Sequence, residues 1–377
     1  MKLIPASQEF AEGPPLRLVG KTYVESDGKR LVYLAGCDYF RFSSHPAILS
    51  AIRESLRPGR FNVAASRLTT GNDPLYREAE GRVAKFFDRP TALLVTTGYT
   101  TNLVVTQTLA SEVTHAFVDE RAHVCLTDAA RFLNCPAKRF AHRDAAALSR
   151  LLRKLPASAR PLVLTDGLFA RNGAVAPLAD YLASLPPQGW LLVDDAHAAG
   201  LLGNSGRGSP EFCGVRDERL IQTVTFSKAF GVFGGAVLAA SELRARFAGQ
   251  SQFWAGSTPP PLPLVAGLLA ALEVMRQEGG ARRERLQANA ALLRQKLRES
   301  GTAAENYPGP IFPVQVQTDA DRESLRRRLL ASGIYPSFIR YPGGPAGGNF
   351  RFVISSEHTR RQVARLADAL AGSQLLG

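Results

Sequence analysis

Four short aliphatic runs, each stopping at polar residues, constrain the fold of this chain more than any other feature of its sequence. Ala92 to Val95 stops at Thr97-Gly98-Tyr99, Leu162 to Leu164 at Asp166-Gly167, Leu191 to Val193 at Asp194-Asp195, and Val224 to Phe226 at Ser227-Lys228. Stretches with helical periodicity separate them, the alternation expected of an α/β domain with a mostly parallel central sheet. Ligands of open α/β sheets bind outside the carboxyl ends of the strands. The four polar ends are therefore expected to converge on one site.

Near residue 256 the pattern changes. Gly256-Ser257-Thr258-Pro259-Pro260-Pro261 interrupts the chain, and a long Ala/Leu/Arg helical pattern runs on to about Ser300. The tail reads as a strand (Ile311 to Val316), a helix (Asp319 to Ser332) and further strands and a helix. The expected organisation is an N-terminal segment 1–45, a large α/β domain 46–256, a connecting helix region 257–300 and a smaller α+β C-terminal domain 301–377. With 377 residues, 45% of them hydrophobic, the chain can bury a large core.

No run of eighteen apolar residues occurs, and Met1 to Ala6 contain neither an apolar signal core nor a cleavage site. No membrane association is expected, and a cytoplasmic location is. Cys37, Cys125, Cys135 and Cys213 lack any Cys-x-x-Cys spacing, so reduced thiols are expected rather than a zinc site or a disulfide framework. The net charge of +13 would attract nucleic acid, acidic proteins or phosphorylated small molecules, and its sign alone does not choose. Much of the excess is arginine spread over helical faces, as in Arg282, Arg283, Arg285, Arg294 and Arg298, with no nucleic-acid-binding motif beside it. Solvated faces account for that pattern, and nucleic acid is not expected as a partner. Part of the basic surface could steer a coenzyme A thioester or an acidic acyl carrier protein.

Three of the strand ends carry chemistry. Lys228 lies just past a strand and is followed by Gly231, Gly234 and Gly235. At the edge of a sheet, among small residues, a lysine can be desolvated into a Schiff-base nucleophile; standing alone it reads equally as a surface lysine in a glycine-rich turn. Asp194-Asp195-Ala196-His197 ends another strand. An aspartate there can pair with a protonated pyridine nitrogen, and a nearby histidine can hydrogen-bond a phenolic oxygen. A solvated acid pair in a loop, or a two-ligand metal site, is the alternative, and no third or fourth ligand is evident. Thr96 to Asn102 opens an apolar helical segment whose free amides could hold a phosphate, or could simply be capped by Thr and Asn.

Taken together these segments resemble the α-oxoamine synthase family of fold type I (aspartate aminotransferase-like) pyridoxal 5'-phosphate (PLP) transferases. The resemblance covers nearly the whole chain. It runs through Asp38-Tyr39, Ser66-Arg67, Gly98-Tyr99, Phe140-Ala141-His142, Asp166-Gly167-Leu168-Phe169, Asp194-Asp195-Ala196-His197, Gly206-Arg207-Gly208, Lys228 and Arg351. It implies that Lys228 is the Schiff-base lysine, Asp194 the partner of the pyridine nitrogen, His197 the contact to the phenolic oxygen and His123 the ring-stacking histidine. Gly98 and Tyr99 match phosphate-binding amides, and Thr225 a hydroxyl to the same phosphate. Asp166 falls in the cofactor-binding set, and Ser66 and Cys37 in the substrate set. Ser257 matches a residue that reaches the phosphate of the neighbouring subunit, so a homodimer with shared active sites is implied. Arg351 matches the arginine that forks the substrate carboxylate.

The activity implied is condensation of an amino acid with an acyl thioester, usually with loss of carbon dioxide. The acyl group would ride on coenzyme A or on an acyl carrier protein, and no metal would take part. Compact length points within the family to 8-amino-7-oxononanoate synthesis. A fold type I aminotransferase or lyase, or a PLP-binding homologue with little turnover, would share Lys228 and Asp194. Departures from the family pattern fall around the substrate. Cys37 stands for asparagine, Ala170 for serine, Ala64-Ala65 for glycines and Ala198 for glycine or serine, and the leading helix is not evident.

Overall fold

The computed structural model describes residues 12–302, 305–340, 345 and 347–375. Met1 to Ala6, on which the expected absence of a signal rests, lie outside the described residues. Two compact units emerge. Met1–Arg41, Ala170–Ala174 and Ala281–Gly377 form the smaller, and Phe42–Phe169 and Val175–Gly280 the larger.

The smaller unit begins with an antiparallel meander, β1 (Arg17–Val19), β2 (Tyr23–Ser26) and β3 (Lys29–Val32). Asp27 and Gly28, both at positive φ (49° and 71°), turn β2 into β3, the two-residue geometry that suits the twist of a hairpin.

The larger unit is built on a seven-stranded sheet. Its strands are β4 (Thr91–Val95), β5 (His115–Asp119), β6 (Ala137–Phe140), β7 (Pro161–Asp166), β8 (Trp190–Asp194), β9 (Leu220–Thr225) and β10 (Gly235–Ala239). They lie in the order β4-β10-β9-β8-β7-β5-β6. The five strands from β9 to β6 pair in parallel, and β10 runs antiparallel to both β9 and β4. This is the mostly parallel sheet expected. Strands in such a sheet are covered on both faces, which explains their nearly unbroken aliphatic runs. Leu93, Val118, Leu164, Leu192, Ile221 and Val237 share one fully buried cluster with Val104, Val105 and Leu109 from the helix Gly98–Leu109. The neighbouring positions Leu94, Phe117, Val163 and Leu191 are buried as well.

The rest of the smaller unit holds β11 (Ile311–Gln315), β12 (Phe338–Ile339), β13 (Asn349–Val353) and β14 (Gln374–Leu375). They pair antiparallel in the order β12-β13-β11-β14, beside the helices Asp319–Ala331 and Arg360–Leu370. This is the expected α+β tail. Among the described residues no helix is long and apolar enough to cross a membrane.

Candidate active site

The larger unit gathers most of the predicted residues at the carboxyl ends of β4, β5, β7, β8 and β9. The parallel register sets Asp166 beside Asp194 and Asp194 beside Thr223, so the two carboxylates emerge from adjacent strands. Asp194 is buried, and its carboxylate is held by three donors. Asn102 Nδ2 lies 2.7 Å and Cys125 Sγ 3.2 Å from Oδ2, and the Ala196 amide lies 2.9 Å from Oδ1. Thr223 Oγ1 donates to Asn102 Oδ1 at 2.8 Å, which turns the Asn102 amide toward the carboxylate.

Asp195 has a different task. Fully buried, it accepts from the Ser209 hydroxyl (2.5 Å), the Ser209 amide (2.8 Å) and Gln222 Nε2 (2.7 Å). Burial pushes its pKa up to about 7 against these donors. The contacts pin the turn at Gly208, whose φ of +96° and missing Cβ make room for the Asp195 carboxylate. Of the two acids expected together, Asp194 faces the site and Asp195 braces its loop. His197 is buried on the same loop.

His123 caps the helix Val124–Ala130, its Nδ1 accepting the Cys125 amide at 3.2 Å, while its own amide donates to Asp166 Oδ2 at 2.8 Å. Burial lowers the His123 pKa, so the ring is neutral, and with Nδ1 an acceptor its proton sits on Nε2. Asp166 is pushed well above the usual carboxylate range, first by burial and then by the Asp194 charge. Lys228 is half-buried just past β9, near enough for its charge to act on both His123 and Asp166. Among the described residues its ammonium has neither a hydrogen bond nor an ion pair.

At the start of the helix Gly98–Leu109, Thr97 Oγ1 takes up the Thr100 amide at 3.2 Å. The Gly98 and Tyr99 amides, too early in the helix for an intrahelical acceptor, are directed out of its end. Gly98 packs so closely on β9 that a Cβ there would come within 2.6 Å of Thr225 Cβ. Thr225 Oγ1, which would lie 2.9 Å from the same Cβ, stands beside the start of the helix and meets Ser227 Oγ at 2.9 Å. The Tyr99 side chain turns away to donate to Asp128, and burial and that bond raise its pKa.

Two other predicted residues of this unit serve local backbone. Ser66 Oγ donates to the Ala255 carbonyl and Ser257 Oγ to that of Phe253, each at 2.5 Å. In the smaller unit Arg351, on β13, donates from Nε to the Ala170 carbonyl at 3.0 Å, and both of its terminal nitrogens lie 3.9 Å from Cys37 Sγ. Asn102, Cys125, Thr223 and Ser227 were not singled out by sequence reasoning. Asn102 carried a readable signal, a polar residue one turn inside an apolar helix on the same face as Gly98.

The class I and II aminotransferase family matches residues 31–370. An 8-amino-7-oxononanoate synthase from Nitrosococcus oceani is 34% identical over 351 residues, covering 92% of each chain. Another from Methylococcus capsulatus is 34% identical over 354 residues, 93% of this chain and 91% of the relative. The chain belongs to the α-oxoamine synthase branch of the class I and II aminotransferases. Among solved structures, a serine palmitoyltransferase from S. paucimobilis with bound PLP–myriocin superposes with a TM-score of 0.87 at 26% identity, covering 94% of this chain and 90% of that one.

The donor set of this α-oxoamine synthase fits PLP. A carboxylate offers about four acceptor positions, and with three of those of Asp194 taken, one is left for a ring N–H. Two outward amides at the end of a twelve-residue helix, with the Thr225 hydroxyl beside them, suit a phosphate. An unpaired, half-buried lysine amine suits an aldehyde carbon. Two of the family departures have local explanations. Ala64 keeps the left-handed backbone, φ +50°, that glycine adopts more readily, and Ala170 meets Arg351 through its carbonyl rather than its side chain.

Proposed function

We propose that this enzyme joins an amino acid to an acyl thioester with loss of carbon dioxide, and that its product is 8-amino-7-oxononanoate. The chain is a PLP-dependent acyltransferase of the α-oxoamine synthase type. The observation that carries the reading is the Asp194 site, with its spare acceptor position, in a chain similar almost end to end to 8-amino-7-oxononanoate synthases. That product divides between C7 and C8 into a heptanedioyl group and the fragment that alanine supplies after losing its carboxylate.

PLP, when bound, supplies an electron sink that stabilises negative charge on the amino acid α-carbon. Asp194 is the residue for its ring nitrogen, the Gly98 and Tyr99 amides with Thr225 for its phosphate, and His123 and His197 for its ring and phenolic oxygen. Asp166 supports the site by holding the His123 backbone. Lys228 would hold the cofactor through its amine and move the proton of the α-carbon. Arg351 takes the amino acid carboxylate, a task suited to its planar fork, with Cys37 at its side. Ser66 belongs to the substrate side of the same proposal. In the reaction a bond forms between the α-carbon and the acyl carbonyl carbon, and the carbon–sulfur bond breaks. The thiol leaves with a proton, the carboxylate leaves as carbon dioxide, and a proton returns to the α-carbon.

A homodimer in the cytoplasm, with Ser257 reaching the neighbouring subunit's phosphate, completes the reading. An open groove of about 520 Å³ in the larger unit, lined by Arg139, Arg150, Arg153 and Lys154, supports an acidic acyl carrier protein as donor.

The test is thiol release from heptanedioyl thioesters incubated with PLP-loaded enzyme and a panel of amino acids. Alanine should release thiol and give a product of the expected mass. Lys228→Ala should lose the visible absorbance of bound PLP and about 10²- to 10⁴-fold of the rate. Amino-group transfer to a keto acid without thiol release would replace this reading with an aminotransferase.

A further inference from the structure

Among the three donors to Asp194, the Cys125 thiol is the one that also touches His123. It lies on the first turn of the helix Val124–Ala130, buried, with Sγ 2.9 Å from His123 Nδ1, 3.2 Å from Asp194 Oδ2 and 3.3 Å from Asn102 Nδ2. The thiol has one proton and faces two acceptors. Nδ1 of the neutral His123 ring already accepts the Cys125 amide, whereas a carboxylate is the stronger, charge-assisted acceptor. The proton therefore goes to Asp194. Burial and then the neighbouring Asp194 charge keep the sulfur protonated and available as a donor.

We infer that Cys125 is a positioning residue, donating through its thiol to Asp194 Oδ2 so that this carboxylate keeps the orientation in which it meets the PLP ring nitrogen. Asn102 holds the same oxygen at 2.7 Å, and is itself aimed by Thr223. Because Cys125 also touches His123, one side chain ties the carboxylate at the ring nitrogen to the histidine assigned to the ring face. The inference rests on the proposed pairing of Asp194 with PLP.

Cys125→Val, Cys125→Ala and Cys125→Ser separate donation from packing. Valine fills the volume of the thiol without a donor, alanine removes both, and serine keeps a donor in a smaller side chain. PLP dissociation constants and the visible circular dichroism of bound PLP are the readouts, with thermal unfolding of each apo form as the folding control. Donation predicts that valine weakens PLP roughly tenfold and alters the dichroic band. Serine should stay within about threefold of the parent with the band retained. A packing role predicts the reverse order, valine near the parent and serine impaired, and that order would overturn the inference. Should the valine variant not fold, alanine against serine decides by the same readouts, and equal behaviour of the two refutes donation. Failure of the parent enzyme to bind PLP would instead defeat the functional reading itself.

Discussion

Asp194 and Asp195 are sequence neighbours of one chemical type, and their surroundings give them different work. Asp194 meets an amide side chain, a thiol and one backbone N–H and keeps an acceptor position open. All three donors to Asp195 come from the framework that holds Gly208 and Ser209. His358 shows the same dependence on surroundings in the smaller unit. It is buried, accepts the Ser355 amide at Nδ1 (2.8 Å) and faces the Tyr33 carbonyl from Nε2 (3.0 Å), the arrangement of a neutral ring. Burial first, and then the Arg41 charge, push its pKa down to about 3. Between that pH and the ordinary histidine value near 6.5 the unfolded chain binds the proton and the folded one does not. The contribution of His358 to stability is therefore complete above about pH 6.5 and is lost as the pH falls. Urea unfolding at pH 7 and pH 5 should differ by about 2 kcal/mol on this account. In His358→Asn that difference should shrink by a similar amount, and an unchanged difference would remove His358 from the acid response.

The helix Gly98–Leu109 illustrates how one element serves core and site together. Its buried residues include Val104, Val105 and Leu109, which pack on the sheet, and Asn102, which reaches Asp194. Its first turn is held by Thr97 and lies against β9 because Gly98 has no side chain. In Gly98→Ala the new Cβ would meet Thr225 Cβ at 2.6 Å, so either the helix start or the end of β9 must shift. Overpacking of this kind costs about 1–3 kcal/mol. The displacement falls on the two amides assigned to the phosphate, so PLP affinity should drop by about tenfold or more, measurable by equilibrium titration. Affinity equal to the parent would show that these amides do not hold the phosphate.

At the scale of the whole molecule, part of the excess of positive charge lines a groove in the larger unit. In the groove of Arg139, Arg150, Arg153 and Lys154 the carboxylate of Asp144 lies 4.0 Å from Arg150, and Arg153 bonds the Ser149 hydroxyl. Joint replacement of Arg150, Arg153 and Lys154 by glutamate should raise KM for a carrier-protein-bound acyl group about three- to tenfold at low salt, with kcat unchanged. The difference should narrow as ionic strength rises. An equal rise for the coenzyme A thioester would assign the groove to nucleotide phosphates instead. The smaller unit gathers three separate stretches, including the five residues Ala170–Ala174, a grouping that no contiguous division of the sequence expresses. Ala170 follows a motif at the end of β7, yet its carbonyl serves Arg351 on β13.

By itself the sequence determined the class of fold and the family. Aliphatic runs covered on both faces need no partner information to be read as parallel strands, and polar residues at their carboxyl ends point to where a ligand binds. Lys228 and Asp194 were legible as candidates because chemistry restricts which residue types suit a Schiff base or a pyridine nitrogen, and His123 only through the family resemblance. Cys125 and Thr223 were not, because a thiol and a hydroxyl are common everywhere and acquire meaning only beside a buried carboxylate, and Asn102 showed only as a polar residue inside an apolar helix. Only the tertiary structure shows what holds each of the two adjacent aspartates, since donor geometry, not residue type, separates them. It likewise decided that Ser66 and Ser257 donate to nearby backbone carbonyls, contacts formed only once the chain is folded.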